Sequence, residues 1–124
     1  MIAEKQMTTE QIARRLVELC RKSDYETAQR ELYAEDAVSI EPHAMPEFEK
    51  ETRGLEAIIE KGRKFTSMVD ELHVHEISEP LIAGNTIAFT LLMEATMQGK
   101  REKMEELCVY TVRDGKIVSE QFFV

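Results

Sequence analysis

An α+β domain is the class this sequence predicts, on three observations. The chain ends in two strand-like runs joined by a turn: KMEELCVYTV, then RDG, then KIVSEQFFV, over Lys103–Val124. Asp114-Gly115 is a strong hairpin signal, because glycine accepts the positive φ that a tight turn demands. Two further strand-like runs, 72–79 and 85–97, precede it, joined through Pro80 and Gly84-Asn85. The N-terminal half instead carries apolar residues at helical spacing. Helices and antiparallel strands segregated along one chain give the α+β class. A curved sheet covered by helices on one side leaves a hollow, and a site would sit there.

The elements follow in order. Residues 1–7 read as a loose lead-in. Thr8-Thr9-Glu10-Gln11 has the form of a capping box, and Ile12, Leu16, Leu19 and Cys20 recur behind it at helical spacing. This predicts a first helix from about Thr9 to Lys22. Ser23-Asp24 starts a second, shorter helix through Ala28 and Leu32. Ala37-Val38-Ser39-Ile40-Glu41 alternates and then meets Pro42, which suits a short edge strand. The stretch 42–53 holds two prolines and many charges and reads as a long loop. Leu55, Ile58, Ile59 and Phe65 carry a third helix. In the 85–97 strand, Ile87, Phe89, Leu91 and Met93 share one face. Thr90, Leu92 and Glu94 share the other, a mixed face that could meet a second copy.

Bulk properties bound the function. A chain of 124 residues fits one domain, 1–124, with one core. Its net charge of −8 argues against nucleic acid and anionic membrane surfaces as partners. No apolar run of about 18 residues is present, so no transmembrane helix is expected. The polar N-terminus is unlike a secretory signal. The two cysteines, Cys20 and Cys108, have no CxxC spacing, which points to a reducing compartment. A cytoplasmic location is the expectation.

Three stretches carry a resemblance: YAEDAVSIEP (33–42), GLEAIIEKGRKF (54–65) and the terminal EELCVYTVRDGKIVSEQFF. Together they resemble the NTF2-like superfamily, in its SnoaL-like (polyketide cyclase-like) branch, related to ketosteroid isomerases. The resemblance spans roughly residues 8–124. It implies a cone: a curved antiparallel sheet packed against three helices from the N-terminal half, open at one end. It further implies a homodimer through the sheet and a small apolar molecule in the cone. It implies no cofactor. The same scaffold serves enzymes and non-catalytic modules, so fold alone does not settle function.

Carried over by resemblance, the general base of the isomerases falls at Glu41, which ends its strand before a proline. A carboxyl in an apolar hollow has its pKa raised by desolvation and becomes a proton shuttle near neutral pH. The structural alternative is a strand-end carboxylate, either solvated or paired with Arg53 or Lys50. Ser39 shares its face and could bind a ligand or Glu41. The isomerases also place a tyrosine and a second acid against the developing oxyanion. Those positions fall near Leu16 and Cys108, and neither supplies a strong donor. Steroid isomerisation is therefore disfavoured, and another proton transfer, such as an aldol-type cyclisation, stays open. Tyr110 on the Cys108 strand and His43 in the 42–53 loop are candidate partners to Glu41 as acid or base. Phe65, Phe89, Met93, Cys108 and Phe123 are candidate ligand-lining residues, with core filling as the alternative. One of Glu105 and Glu106 should face inward. His73-x-His75 on a strand would put two rings on one face, but no third ligand has fixed spacing, and no metal site is expected. A non-catalytic ligand-binding or protein-interaction module with a filled pocket is the competing function.

Overall fold

The computed structural model describes residues 6–124. Three helices and seven strands run in the order α1 (Thr9–Arg21), α2 (Tyr25–Leu32), β1 (Tyr33–Ile40), β2 (Glu51–Arg53), α3 (Leu55–Met68), β3 (Val69–Ile77), β4 (Leu81–Ala83), β5 (Thr86–Met97), β6 (Lys100–Arg113) and β7 (Lys116–Phe123). Of the expected lead-in 1–7, residues 1–5 lie outside the described residues.

Helix α1 starts where its capping signal lies. The Thr8 side chain accepts from the Gln11 amide, and the Gln11 side chain accepts from the Thr8 amide. Two orphan amides of the first turn are thereby satisfied. Helix α3 starts at Gly54, whose φ of +95° few other residues adopt. Its amide donates to Ala37 O at 2.8 Å and ties the helix entry to β1.

The strands form one curved, unclosed sheet in the order β2-β1-β7-β6-β5-β3, with β4 pairing β5. The expected α+β cone is present. Two details depart from a simple antiparallel meander. Strand β1 lies parallel to β7, so the sheet is mixed. It is also an interior strand of eight residues rather than a short edge, because β2, inside the expected loop, pairs with its outer side. The short strand β4 was part of the expected 79–85 connection.

Bulges bend the sheet. The register slips between Tyr33 and Val38 in β1, twice in β3, and between Thr111 and Val112 opposite β7. Each extra residue bends its strand and increases the local twist. The concave face packs on the helices. Ile12 and Leu16 of α1, Leu32 of α2 and Ile58 of α3 meet Ile87, Cys108 and Ile117 in one buried cluster. No described helix is long and apolar enough to cross a membrane.

The bulges also decide which side chains face in. In β3, Leu72 pairs Ala95 and Val74 pairs Glu94, leaving His73 as the extra residue. His73 therefore turns outward and its Nε2 hydrogen-bonds Thr96 Oγ1 at 2.7 Å. His75, opposite Met93, faces inward. The expected shared face of His73 and His75 does not exist. In β7, Thr111 pairs Ser119 while Val112 pairs Ile117, so Val118 is the extra residue. Alternation from Ile117 would put Phe123 inside. The bulge instead turns Glu120 and Phe122 inward and leaves Phe123 on the outer face, 45% exposed.

Candidate functional site

The inner face of the sheet carries an unusual number of polar groups for a core. Cross-strand pairing arranges them in rows. Ile77, Leu91 and Glu106 form one row, and Phe89, Cys108 and Phe122 the next. Ile87, Tyr110, Glu120 and Ser39 form the third. Strand alternation places Glu106 inward and Glu105 outward.

The deepest polar group is Glu120, which is almost completely buried. Its carboxyl accepts from the Tyr33 hydroxyl and from Ser39 Oγ, the latter at 2.6 Å. Burial pushes its pKa up, while these two hydrogen bonds and the Lys61 charge pull it down. Charge that enters an apolar interior must find partners of this kind. Lys61 supplies the cation. It reaches in from α3, donates to Ser39 Oγ at 2.6 Å and pairs with Glu41 at 3.3 Å. The Lys61 and Glu41 side chains are only 14% and 17% exposed. Lys61 Nζ also lies 5.8 Å from the centre of the Phe122 ring, within reach of a cation–π attraction.

Glu106 is the third carboxyl. It is half-buried and faces the same interior. Burial, then the negative charges of Glu41 and Glu120, push its pKa up to about 7, against the opposing charge of Lys61. Tyr25 and His75 complete the polar lining. Tyr25 Oη and His75 Nε2 are 2.5 Å apart. Both side chains are half-buried. Burial lowers the His75 pKa and raises that of Tyr25, so both rest neutral at pH 7.

The polar groups therefore lie at two depths. Tyr33, Ser39, Glu120 and Tyr110 are sealed. Tyr25, Glu41, Lys61, His75, Glu106 and Phe122 are partly accessible. Among the described residues no buried side-chain polar atom lacks a partner.

Each residue singled out from sequence has a definite place. Glu41 points inward, paired with Lys61 rather than with Arg53, which pairs with Glu51. Ser39 is buried at the centre of the cluster. Tyr110 is buried and stacks on Phe89 with ring centres 5.3 Å apart. Phe89, Met93 and Cys108 are buried on the inner face. Phe65 is half-buried on α3 and packs near Phe48 of the loop. His43 is exposed on that loop. Phe123 is on the opposite face, and Phe122 holds the inner position. Burial pushes the Cys20 pKa up to about 12 and raises that of Cys108 as well, so neither is a thiolate at neutral pH.

Lys61, Glu120 and Tyr25 were not singled out from the sequence; Glu106 was one of a pair of which one should face inward, and His75 was weighed only as half of a metal-ligand pair. Lys61 interrupts an apolar helical stripe between Ile58 and Phe65. Glu106 alternates in phase with Cys108 and Tyr110. Both are charged residues at positions where the period calls for an apolar one. Glu120 left no such trace, because the Val118 bulge changes the phase of β7.

Comparison with known proteins agrees with this architecture. Residues 7–124 match the family model described as a SnoaL-like domain. No curated protein matches the chain. A protein from Mesorhizobium loti, named for the SnoaL-like polyketide cyclases, is 30% identical; the match covers 95% of this chain and 100% of that one, with a TM-score of 0.86. A Catenulispora acidiphila protein with a ketosteroid isomerase-like fold, solved in complex with trimethylamine, is 16% identical over 94% of this chain and 87% of that one, at a TM-score of 0.71. A Bacillus subtilis protein named as an isomerase is 21% identical over 94% of this chain and 88% of that one, at 0.69. With the family model spanning nearly the whole chain and the curved sheet under three helices, this protein belongs to the SnoaL-like domain family, within the fold shared by ketosteroid isomerase-like proteins.

Proposed function

We propose that the open end of the cone binds a small organic molecule and that its carboxyl cluster moves a proton on that molecule without a cofactor. One observation carries this reading: Glu106 is partly accessible, faces Glu41 and Glu120, and has its pKa pushed up to about 7. A carboxyl poised near the working pH both takes and returns a proton. Glu41 is the second acid–base group, 3.3 Å from Lys61 Nζ. Isomerase- and cyclase-type chemistry suits such a site, and relatives carry both names.

The test uses hydrogen exchange. Small aryl ketones are incubated in deuterated buffer, and loss of the α-proton signal is followed by NMR. Catalysed exchange with a pH midpoint near 7, abolished in Glu106→Gln, is expected. Exchange no faster than buffer alone, or unchanged in Glu106→Gln, sinks the proton-transfer reading.

A binding module without catalysis draws on the Glu41–Lys61 pair, which already engages the carboxylate in an ion pair. It predicts ligand binding without exchange in the same experiment.

The proposed partner through the sheet is a second copy of the chain. Leu92, Leu107, Phe123 and Val124 line one side of a groove of about 670 Å³ that Glu76, Glu105 and the inner-row residues Ile77, Leu91 and Glu106 also line. Apolar side chains on an exposed sheet face suit a self-complementary contact. Light scattering should give twice the chain mass of 14.3 kDa; a particle of 14.3 kDa at micromolar concentration would remove the dimer. Two free, buried cysteines fit the cytoplasm as the proposed location.

A further inference from the structure

Glu120 is the sealed carboxyl of the cluster. Both of its oxygens are engaged: Tyr33 Oη donates to Oε1, and Ser39 Oγ donates to Oε2 at 2.6 Å. Tyr33 is itself buried, so that branch ends inside the core. The Ser39 branch continues. Ser39 is fully buried, yet its oxygen accepts from Lys61 Nζ at 2.6 Å. Lys61 Nζ also reaches Glu41 Oε1 at 3.3 Å, and both of those side chains are partly accessible. A continuous line of hydrogen bonds therefore joins groups that touch water to a carboxyl that water does not reach.

The links along this line point one way. Lys61 donates to Ser39, and Ser39 donates to Glu120. Each bond involves a lysine or a carboxyl, and bonds to charged groups run short. A hydroxyl accepts one hydrogen bond while giving another, so it passes a proton on without leaving its place.

The other groups around Glu120 offer no second route. Cys20 of α1 faces it, as do Cys108 and Tyr110 of β6, and burial holds all three neutral at pH 7. Glu41 of β1 and Glu106 of β6 interact with it through charge. Among the described residues its side chain bonds only to Tyr33 and Ser39.

We infer that Ser39 is a proton relay: Glu120 exchanges its proton with water through Ser39 and Lys61, so the charge of this sealed carboxyl follows the pH outside while the protein stays folded. The relay goes beyond the proton-transfer reading above and holds whether or not a substrate is turned over. As pH falls, the Ser39 hydroxyl proton passes to Glu120 Oε2, and an ammonium proton of Lys61 passes to Ser39 Oγ. The lone pair left on Lys61 Nζ takes a proton from water. The balance is one solvent proton added to Glu120, with Ser39 and Lys61 restored; rising pH reverses each transfer. The consequence reaches the accessible carboxyl. Negative charge on Glu120 helps to raise the Glu106 pKa, so a protonated Glu120 makes Glu106 the stronger acid. The relay is a pH-sensitive control on Glu106.

The test is a rapid drop in pH followed by infrared spectroscopy. The carbonyl stretch of protonated Glu120 is assigned by its loss in Glu120→Gln. In the parent the band should appear far faster than the protein unfolds. Ser39→Ala should slow it about tenfold or more, because the proton must then wait for the core to open locally. Ser39→Thr keeps the hydroxyl and should keep the parent rate. Lys61→Arg separates a relay from a merely structural bond. Arginine keeps the cation and the donor but cannot give up a proton, so it should be as slow as Ser39→Ala. Should Ser39→Ala fail to fold, Lys61→Arg decides the matter. A parent band that rises only at the unfolding rate overturns the relay. So does a parent-like rate in Ser39→Ala or in Lys61→Arg. A ¹³C titration of Glu120→Gln should put the Glu106 midpoint below the parent value of about 7; an unmoved midpoint overturns the control on Glu106.

Discussion

Ser39 Oγ accepts a hydrogen bond from Lys61 Nζ at 2.6 Å and donates one to Glu120 Oε2 at 2.6 Å. One hydroxyl thus links a partly accessible lysine to a carboxyl sealed in the interior. The relation is asymmetric, because Lys61 also has Glu41 while Glu120 has only Ser39 and Tyr33.

Removing the link should therefore hurt Glu120 most. Ser39→Ala leaves a buried carboxyl oxygen without its donor, at a cost of about 1–3 kcal/mol. Urea unfolding at pH 7 measures it. The loss should shrink at low pH, where Glu120 is neutral. Equal stability of mutant and parent at pH 7 would mean that the bond contributes nothing.

Glu106 makes stability pH-dependent in a stated direction. Its folded pKa, about 7, lies above its ordinary value of 4.5. Between those values the folded state binds more protons than the unfolded one, so stability falls as pH rises. Glu106→Gln removes that slope. It should be more stable than the parent at pH 8 by about 1–2 kcal/mol, discounted because the side chain is partly solvated. At pH 4 the two should match. Melting curves across this range decide the point, and parallel curves would contradict the inward, desolvated placement of Glu106.

Lys61 opposes the rise in the Glu106 pKa. Lys61→Met should move the Glu106 midpoint above 7, and Lys61→Arg should hold it near the parent value. A ¹³C titration of the glutamate carboxyls reads the shift directly. An unmoved midpoint in Lys61→Met would show that the two charges do not communicate.

Burial lowers the His75 pKa. In the window just below the ordinary histidine value, the unfolded state binds the extra proton and the folded state does not. Stability should therefore fall as pH falls through that window. An NMR titration of the Cε1 proton should put the His75 midpoint below 6.5, the ordinary value. A midpoint at or above it would contradict the inward orientation that the His73 bulge imposes.

Gly115 closes the terminal hairpin at φ +75°, beside Asp114 at φ +51°. A Cβ there would also sit 2.8 Å from Gln6 Cβ. Gly115→Ala should cost about 1 kcal/mol or more from backbone strain. Thermal melting checks this; an unchanged Tm would mean that the turn relaxes freely.

Local chemistry made much of the fold legible. The Thr8–Gln11 capping box, the Asp114-Gly115 turn and the helical spacing of Ile12, Leu16 and Leu19 each act within a few residues. The third helix was visible from Leu55, Ile58 and Phe65 for the same reason. The parallel pairing of β1 with β7 was not, because its partners, such as Ser39 and Glu120, are 81 positions apart. No local pattern encodes such a distance.

Sequence by itself determined an α+β domain, its three helices and its hairpin, since these follow from period and turn chemistry; it put Ser39 and Glu41 on one strand face without deciding which way that face points. Tertiary structure alone decided the site. The extra residues His73 and Val118 shift two strands by one position, and one position exchanges the faces of everything beyond it. That step sends His73 and Phe123 outward and brings His75, Glu120 and Phe122 in. Lys61 and Tyr25 then join them from separate helices, held there by packing contacts that exist only when the chain has folded.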